Sequence, residues 1–219
     1  MLRAIFLTIL AVGLFQISQA QHQRGIKIAF GPGVINHNET FPVGEYTNLS
    51  SLSLQMGFYN EWKLKERLKF GGEVLVTYVR GKSHLEFPVF KDNGDLFGQY
   101  EQYSLRDMIY LSVPMWCGVE FGRWTVNAGI QGSVFLTGYY QRVQNFQIPG
   151  TVSVWPGNNR LNGANRIDFG PRAAVFCRIN NRWSMEASYY HGLTNAYRWE
   201  VGTKSNIQQG TLGARIAIL

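Results

Sequence analysis

The sequence predicts an all-β fold, an eight-stranded antiparallel up-and-down transmembrane β-barrel, on three observations. Between Arg24 and Leu219, eight segments alternate apolar and polar residues, as strands with two different faces do. The connections between these segments are alternately long and short, which is typical of a barrel with loops on one rim and tight turns on the other. Charged residues are only 16% of the chain and glycine reaches 24 residues, a composition that suits a barrel better than a soluble domain.

The first twenty residues have the features of a secretory signal peptide. Arg3 precedes an apolar run, and Ser18 and Ala20 place small residues at the −3 and −1 positions of a cleavage site. We expect cleavage before Gln21, which leaves residues 21–219 as one outer-membrane barrel domain. Since no later stretch approaches the roughly 18 apolar residues of a transmembrane helix, any membrane residence must come from strands.

The first four strands are predicted from period-two alternation, because successive side chains of a strand point to opposite faces. One face of each carries aliphatic or aromatic residues, and the other carries mainly small or polar residues with isolated charges. These strands cover about 24–34, 50–62, 69–78 and 109–120, with apolar faces that begin at Ile26, Leu52, Phe70 and Ile109. In the fourth strand, Pro114 cannot donate to the ladder, so we expect a bulge or local irregularity there.

The last four strands follow from the same alternation. They cover about 124–137, 167–179, 183–189 and 207–219, with apolar faces that include Trp124, Ile167, Trp183 and Leu212. Short connections near 60–67, 122–123 and 180–182 predict tight turns on one rim. The long connections, which predict loops on the other rim, are 35–49, 80–104, 138–165 and 191–206.

Charge placement indicates which face points inward. The centre of the apolar face carries no charge, as expected in lipid, where Arg or Lys near the midplane costs roughly 2–4 kcal/mol. The opposite face carries four basic and four acidic residues, which we expect to form ion pairs inside the barrel: Lys27, Glu73, Glu120, Asp168, Arg172, Arg178, Glu186 and Arg215. Because eight strands enclose room only for their own side chains, this set predicts a plugged lumen. A narrow gated pore is the alternative.

Two further predictions concern the lipid-facing surface. Trp124 and Trp183 each follow a short turn, which predicts an aromatic girdle at one membrane interface. The two cysteines, Cys117 and Cys177, lie on strands with another strand between them, so about two strand spacings of roughly 4.8 Å separate them. A disulfide needs Cα atoms within about 7 Å, so we expect free, lipid-facing thiols.

The residues give little support to a catalytic, metal, cofactor or nucleic-acid site, and we expect none. His191 lies near Glu186 and Ser188, but serine and histidine have opposite strand parity and do not converge as acyl transfer requires. The four histidines occupy separate segments without the spacing of metal ligands. The net charge of +7 is scattered along the chain instead of forming a basic stripe, so nucleic acid is not an expected partner.

From the fourth strand onward, the sequence carries the motifs of a known family. The motifs are Tyr110-Leu-Ser-Val-Pro114, Asn127-Ala-Gly-Ile130, Asp168-Phe-Gly170 and, over 183–195, Trp-Ser-Met-Glu-Ala-Ser-Tyr-Tyr-His-Gly-Leu-Thr-Asn. Together they resemble the porin-like outer-membrane β-barrel family of Bacteroidetes, which includes the PorT-type proteins. Such barrels usually end in an aromatic residue that the insertion machinery reads, whereas this chain ends in Leu219.

We therefore expect an integral outer-membrane barrel of structural or interaction type, with periplasmic termini and extracellular long loops. The alternatives are a small porin or, as the PorT resemblance implies, a secretion- or transport-associated barrel. A lipid A-modifying hydrolase is the least favoured. The expected partners are outer-membrane lipid and lipopolysaccharide, the barrel insertion machinery, and envelope or secretion-system proteins.

Overall fold

The computed structural model describes residues 21–38, 45–49, 51–91, 94–148, 151–160, 166–194, 196 and 204–218. The strands are β1 (Gln21–Asn38), β2 (Glu45–Leu49), β3 (Ser51–Lys63), β4 (Leu68–Phe90), β5 (Leu96–Phe121), β6 (Trp124–Ile148), β7 (Thr151–Arg160), β8 (Ile167–Arg178), β9 (Trp183–His191) and β10 (Lys204–Ile218). In these ranges no helix is long and apolar enough to span a membrane. The predicted signal peptide and the terminal Leu219 lie outside the described residues.

Eight of the strands close into an antiparallel ring. Their order is β1-β3-β4-β5-β6-β8-β9-β10, and β10 pairs with β1, so that Arg24 faces Ile218 and Phe30 faces Leu212. The remaining strands extend the wall: β2 follows β3 along β4, and β7 pairs with the far end of β6. The ring confirms the predicted eight-stranded barrel, in which pairing around the circle satisfies the backbone groups of every ring strand.

The three predicted tight turns are confirmed. Between β5 and β6 the turn is only Gly122 and Arg123, and Gly122 has φ +62°. Positive φ at the first central residue alone is the pattern of a type II′ hairpin, which favours glycine. Between β8 and β9, the Asn180 side chain accepts hydrogen bonds from the backbone NH groups of Arg182 and Trp183, each at 2.8 Å.

The predicted long loops are in large part β-structure, so the strand bounds predicted on that rim are wrong. β4 and β5 remain paired through 80–104 and turn only around Gly94. β6 and β7 form a second extended hairpin in place of a long connection from residue 138. The alternation that predicts the strands changes here because the apolar side chains move to the inner face. Val79 and Leu85 are buried and apolar, whereas deeper in the barrel the buried positions are mostly polar.

The irregularity expected at Pro114 is displaced. On β5, Pro114 lies between the residues of two pairs, Gly72–Met115 and Leu75–Ser112. Both pairs have the same register, so β4 and β5 are not shifted at Pro114. The register shift lies between Ile109 and Tyr110, opposite β6. An extra residue in one strand of a pair exchanges its inward and outward positions.

The cysteine prediction is confirmed. Cys117 and Cys177 are free, the first exposed and the second half-buried. Cys117 pairs with Ala128 on β6, and Cys177 pairs with Trp124 on the same strand. β6 therefore separates the two thiols, and both lie on the outer face with their exposed neighbours Met115 and Val175.

Candidate functional site: the interior of the ring

Five charged side chains meet at the centre of the ring. They come from β1, β4, β8, β9 and β10, and they are Lys27, Glu73, Arg172, Glu186 and Arg215. Each occupies an inward position of its strand, so strand alternation brings all five inside. We call this group, with Glu61 of β3, the central charge cluster.

Two glutamates each connect the same pair of cations. The Lys27 Nζ lies 3.0 Å from Glu73 Oε2 and 2.6 Å from Glu186 Oε1. The guanidinium of Arg172 donates to the same two oxygens, at 2.9 Å and 2.6 Å. This arrangement joins β1, β4, β8 and β9 across the interior of the ring.

Arg215 completes the cluster from the closing strand. Its Nη2 donates to Glu73 Oε1 at 2.9 Å, and its Nη1 donates to Glu61 Oε2 at 3.3 Å. Aromatic rings surround the guanidinium carbon, whose distances to the ring centroids are 4.2 Å for Tyr59, 4.0 Å for Phe176 and 5.5 Å for Trp116. Cation–π contacts of this kind are stronger away from water.

The central charge cluster is balanced and buried. Its cations are Lys27, Arg172 and Arg215, and its acids are Glu61, Glu73 and Glu186, so the formal charges cancel. All six side chains are 9% exposed or less. An unpaired buried charge reduces the free energy of unfolding by roughly several kcal/mol. The cluster is therefore stable only while each charge keeps its partners.

A second group of charges lies at the turn side of the ring. Glu120 is 3.4 Å from Lys69, 3.5 Å from Lys63 and 3.3 Å from Arg178. Lys69 also lies 2.7 Å from Glu61 and so connects this group to the central charge cluster. A polar cavity of about 350 Å³ opens here. Of the eight predicted charges, Glu120 and Arg178 therefore lie at the mouth and not at the centre.

Asp168 does not join the central charge cluster. Its carboxylate accepts hydrogen bonds from Tyr190 Oη at 2.7 Å, from Thr194 Oγ1 at 2.5 Å and from the backbone NH of Phe169 at 3.0 Å. The ion pair expected for this residue is thus replaced by hydroxyl donors, because the side chain lies closer to the loop side than the basic residues do.

An apolar layer fills the interior on the loop side. It consists of buried side chains that pack together, with Phe135 against them: Ile35, Val79, Met108, Tyr110, Ala196 and Ile207. Val79 and Met108 lie where β4 and β5 extend beyond the predicted strands. The ring of Tyr110 meets that of Phe135 edge-on at 5.6 Å. The interior therefore contains two different layers, one ionic and one apolar.

Sequence reasoning missed several interior residues that strand parity could have found. Glu61 and Tyr59 continue the inward positions of the second predicted strand, and Lys69 has the inward parity of the third. Parity also places Trp116 inward, but its packing on Arg215 is a tertiary contact that parity does not show. Strand parity does not indicate the residues of the apolar layer, because apolar side chains at inward positions interrupt the alternation of apolar and polar residues.

The two tryptophans of the predicted girdle lie on the outer face beside the turns. Trp124 begins β6 and is 54% exposed, and Trp183 begins β9 and is 44% exposed. Their indoles project from the rim where β1 begins and β10 ends, with Cys177 directly beside Trp124.

An ion pair marks the other border of the apolar outer face. Arg80 donates to Asp107 through Nε at 2.6 Å and Nη2 at 3.1 Å, and the Tyr78 hydroxyl donates at 2.5 Å. Asp107 lies just beyond the outward apolar run that ends at Ile109. Partial burial favours the neutral acid, but the hydrogen bonds from Arg80 and Tyr78 outweigh it and lower the pKa of Asp107.

The side chains that could suggest hydrolysis lie on opposite faces of β9. Ser188 Oγ is inside, 2.7 Å from Thr211 Oγ1. His191 is outside, with Nδ1 3.4 Å from Tyr189 Oη. Within the described ranges, no three His, Cys, Asp or Glu side chains are grouped to hold a metal ion.

Comparison with known proteins identifies the family. The model of a family described as outer membrane protein beta-barrel domain matches residues 18–198. No curated protein sequence matches the chain.

Solved structures of outer-membrane proteins are similar over most of their length. The attachment invasion locus protein Ail of Yersinia pestis is 10% identical with a TM-score of 0.42, covering 90% of this chain and 99% of its own. Neisserial surface protein A is 10% identical with a TM-score of 0.38, covering 90% and 97%. OprG from Pseudomonas aeruginosa is 8% identical with a TM-score of 0.29, covering 90% and 91%.

Proposed function

We propose, starting from the fact that this chain belongs to the outer membrane protein beta-barrel domain family, that it is a structural or interaction protein of the outer membrane. Side chains fill its lumen, and its contacts with other molecules are made by its outer wall and its long hairpins. It performs no catalysis. The observation that carries the proposal is the filled interior, in which a balanced ionic layer lies beneath an apolar one.

The two layers oppose a continuous water path for different reasons. In the central charge cluster, Lys27 and Arg172 are fixed between Glu73 and Glu186, so each charge already has partners and attracts little water. In the apolar layer, Val79 is 0% exposed and has no hydrogen-bonding group in its side chain. The sulfur of Met108, which is also 0% exposed, already accepts a hydrogen bond from Tyr110 Oη at 3.3 Å. To pass through the barrel, an ion would have to break the ion pairs of the central charge cluster and then cross the apolar layer.

The long hairpins form a sheet that continues above the ring. β2, β4, β5, β6 and β7 all contribute to it. Stacked rings stiffen the β4–β5 hairpin, with centroid distances of 4.4 Å for His84 and Tyr103 and 4.6 Å for Phe87 and Tyr100. This sheet provides a surface for partners such as envelope or secretion-system proteins.

The proposed orientation places the turns and both termini in the periplasm and the hairpins outside the cell. Three short turns on one rim and long connections on the other favour it, as does the signal peptide proposed for residues 1–20. The motif resemblance supports a place among the porin-like, PorT-type barrels of Bacteroidetes.

The plugged lumen is tested by conductance in planar bilayers with four proteins. These are the wild type, a charge-layer variant (Lys27→Ala, Glu73→Ala, Arg172→Ala, Glu186→Ala), an apolar-layer variant (Met108→Ala, Ile207→Ala) and their combination. The charge-layer variant removes two cations and two acids and so keeps the charge balanced. We expect steady openings only when both layers are reduced. Stable openings of the wild type would refute the proposal and favour the small porin.

The orientation is tested by labelling single cysteines in intact cells. In a Cys117→Ser, Cys177→Ser background, Gly94→Cys places a thiol at the tip of the β4–β5 hairpin, and Glu66→Cys places the matched thiol in a turn. A membrane-impermeant maleimide should label the first thiol in whole cells and the second only after lysis. The reverse pattern contradicts the orientation without affecting the barrel.

A further inference from the structure

A groove of about 620 Å³ lies on the outer face of the barrel, across β1, β10, β9, β8 and β6. Register places one residue of each strand in a row through it: Phe30, Leu212, Ala187, Val175 and Val126. In the next row, Ala173 and Gly210 flank Tyr189. The small side chains form the floor, and Phe30, Leu212 and Tyr189 form the walls. We call this feature the wall groove.

The wall groove is a local indentation in a surface that is otherwise bulky. On the opposite side of the ring, the outward positions carry large exposed side chains such as Met56, Phe58, Val74 and Val76, each about half exposed or more. The volume falls within the roughly 300–1,000 Å³ of ordinary small-molecule sites. Its lining is mainly apolar, so an apolar chain is the part of a ligand that it fits.

Polar side chains lie at the loop-side end of the wall groove. The Tyr189 hydroxyl is 3.4 Å from His191 Nδ1 and 3.4 Å from Gln208 Oε1, and Asn206 Nδ2 is 3.4 Å from His191 Nε2. Contacts of this length are at the weak limit of hydrogen bonding. The side chains of Tyr189, His191, Gln208 and Asn206 can therefore exchange these weak contacts for shorter hydrogen bonds to a bound molecule.

We infer that the wall groove binds one acyl chain of a lipopolysaccharide molecule, while the polar group at its end contacts the glycolipid head. The inference rests on the proposed orientation, which places the loop side in the outer leaflet. An apolar groove that ends in hydrogen-bonding side chains, at the level where the outer face changes from apolar to polar, matches an amphiphile. His191 and the Asn206 amide donate to head-group oxygens, and Gln208 Oε1 accepts from a hydroxyl or amide.

The test is native mass spectrometry of the barrel purified in mild detergent from cells that make lipopolysaccharide. Ala187→Trp fills the floor of the wall groove with a side chain that projects into lipid, so it leaves the interior untouched. Val76→Trp is the matched control, an equally outward position on β4. His191→Leu removes a polar contact and leaves the floor unchanged.

We expect one retained lipopolysaccharide per wild-type or Val76→Trp barrel, an at least tenfold loss for Ala187→Trp, and a smaller loss for His191→Leu. Heat-modifiable migration on gels verifies that each variant is folded. Equal retention by wild type and Ala187→Trp overturns the inference, as does the absence of bound lipid. A dimer that Ala187→Trp dissociates would assign the wall groove to a second copy instead. Retained phospholipid in place of lipopolysaccharide overturns the lipid assignment, and cysteine labelling then shows separately whether the orientation failed.

Discussion

Glu73 is the residue through which the central charge cluster can be tested most directly. Its two oxygens contact all three buried cations: Lys27 at 3.0 Å, Arg172 at 2.9 Å and Arg215 at 2.9 Å. Glu73→Gln keeps the shape of the side chain, but it leaves three cations facing two acids and directs an amide NH₂ toward one of them. Removing one partner of a buried ion pair costs about 3–5 kcal/mol.

That cost is a large part of the stability of an ordinary domain, which is about 5–15 kcal/mol. With a denaturant slope of about 1–3 kcal/mol per molar urea, the unfolding midpoint of Glu73→Gln should fall by at least about 1 M. The assay is urea unfolding of the barrel in lipid vesicles, followed by tryptophan fluorescence and by heat-modifiable migration. Glu66→Gln, the same substitution in an exposed turn, should leave the midpoint unchanged.

A compensating variant separates lost charge balance from lost packing. Lys27→Met in the Glu73→Gln background removes one cation and restores neutrality, so it should regain much of the stability that the single substitution loses. The coupling energy from the double-mutant cycle measures the interaction itself. A Glu73→Gln midpoint equal to that of wild type, or a double variant whose losses simply add, would refute the reasoning.

Four further predictions follow from single contacts. Tyr190→Phe removes a donor from the buried Asp168 and should cost about 1.5–3 kcal/mol in the same urea assay; no loss would mean that water replaces the hydroxyl. Gly71→Ala places a Cβ in steric overlap with the Trp116 side chain and should destabilise by about 1–3 kcal/mol, with a changed near-ultraviolet circular dichroism spectrum. Cys117 should react with a lipid-soluble maleimide in vesicles, and the intact mass should be the same with and without reductant, whereas a disulfide would lower it. Brominated lipids should quench Trp124 and Trp183 most strongly when the bromine is near the head group, and deeper quenching contradicts the girdle.

The eight-strand ring was predictable because lipid imposes a simple rule on each strand. An outward charge near the midplane is costly, so alternation and charge placement together indicate both the strands and their inward faces, as at Lys27 and Arg215. The turns were predictable from local chemistry, since Gly122 supplies positive φ and Asn180 caps the following backbone. These features depend on residues close in the sequence.

The contacts inside the ring were not predictable to the same degree. Parity places Asp168 inward, but only the staggered register shows that it faces Tyr190 instead of a cation. The rule does not apply to the hairpins beyond the membrane, because their outer face meets water instead of lipid and the interior there is apolar. The inner face of β4 therefore changes from polar to apolar near Val79. A sequence pattern that reverses within one strand looks like the end of that strand.

The central charge cluster also accounts for the uniqueness of the strand register. A slip of β10 by one residue would turn Arg215 from the interior to lipid, because side chains alternate with a period of two. The slip would cost roughly 2–4 kcal/mol for the lipid-exposed arginine, and Glu73 and Glu61 would lose a partner inside. The same holds for Lys27 on β1 and Arg172 on β8. Since β1 and β10 close the ring, their two charges fix the closing register that an apolar interior would leave open to slippage.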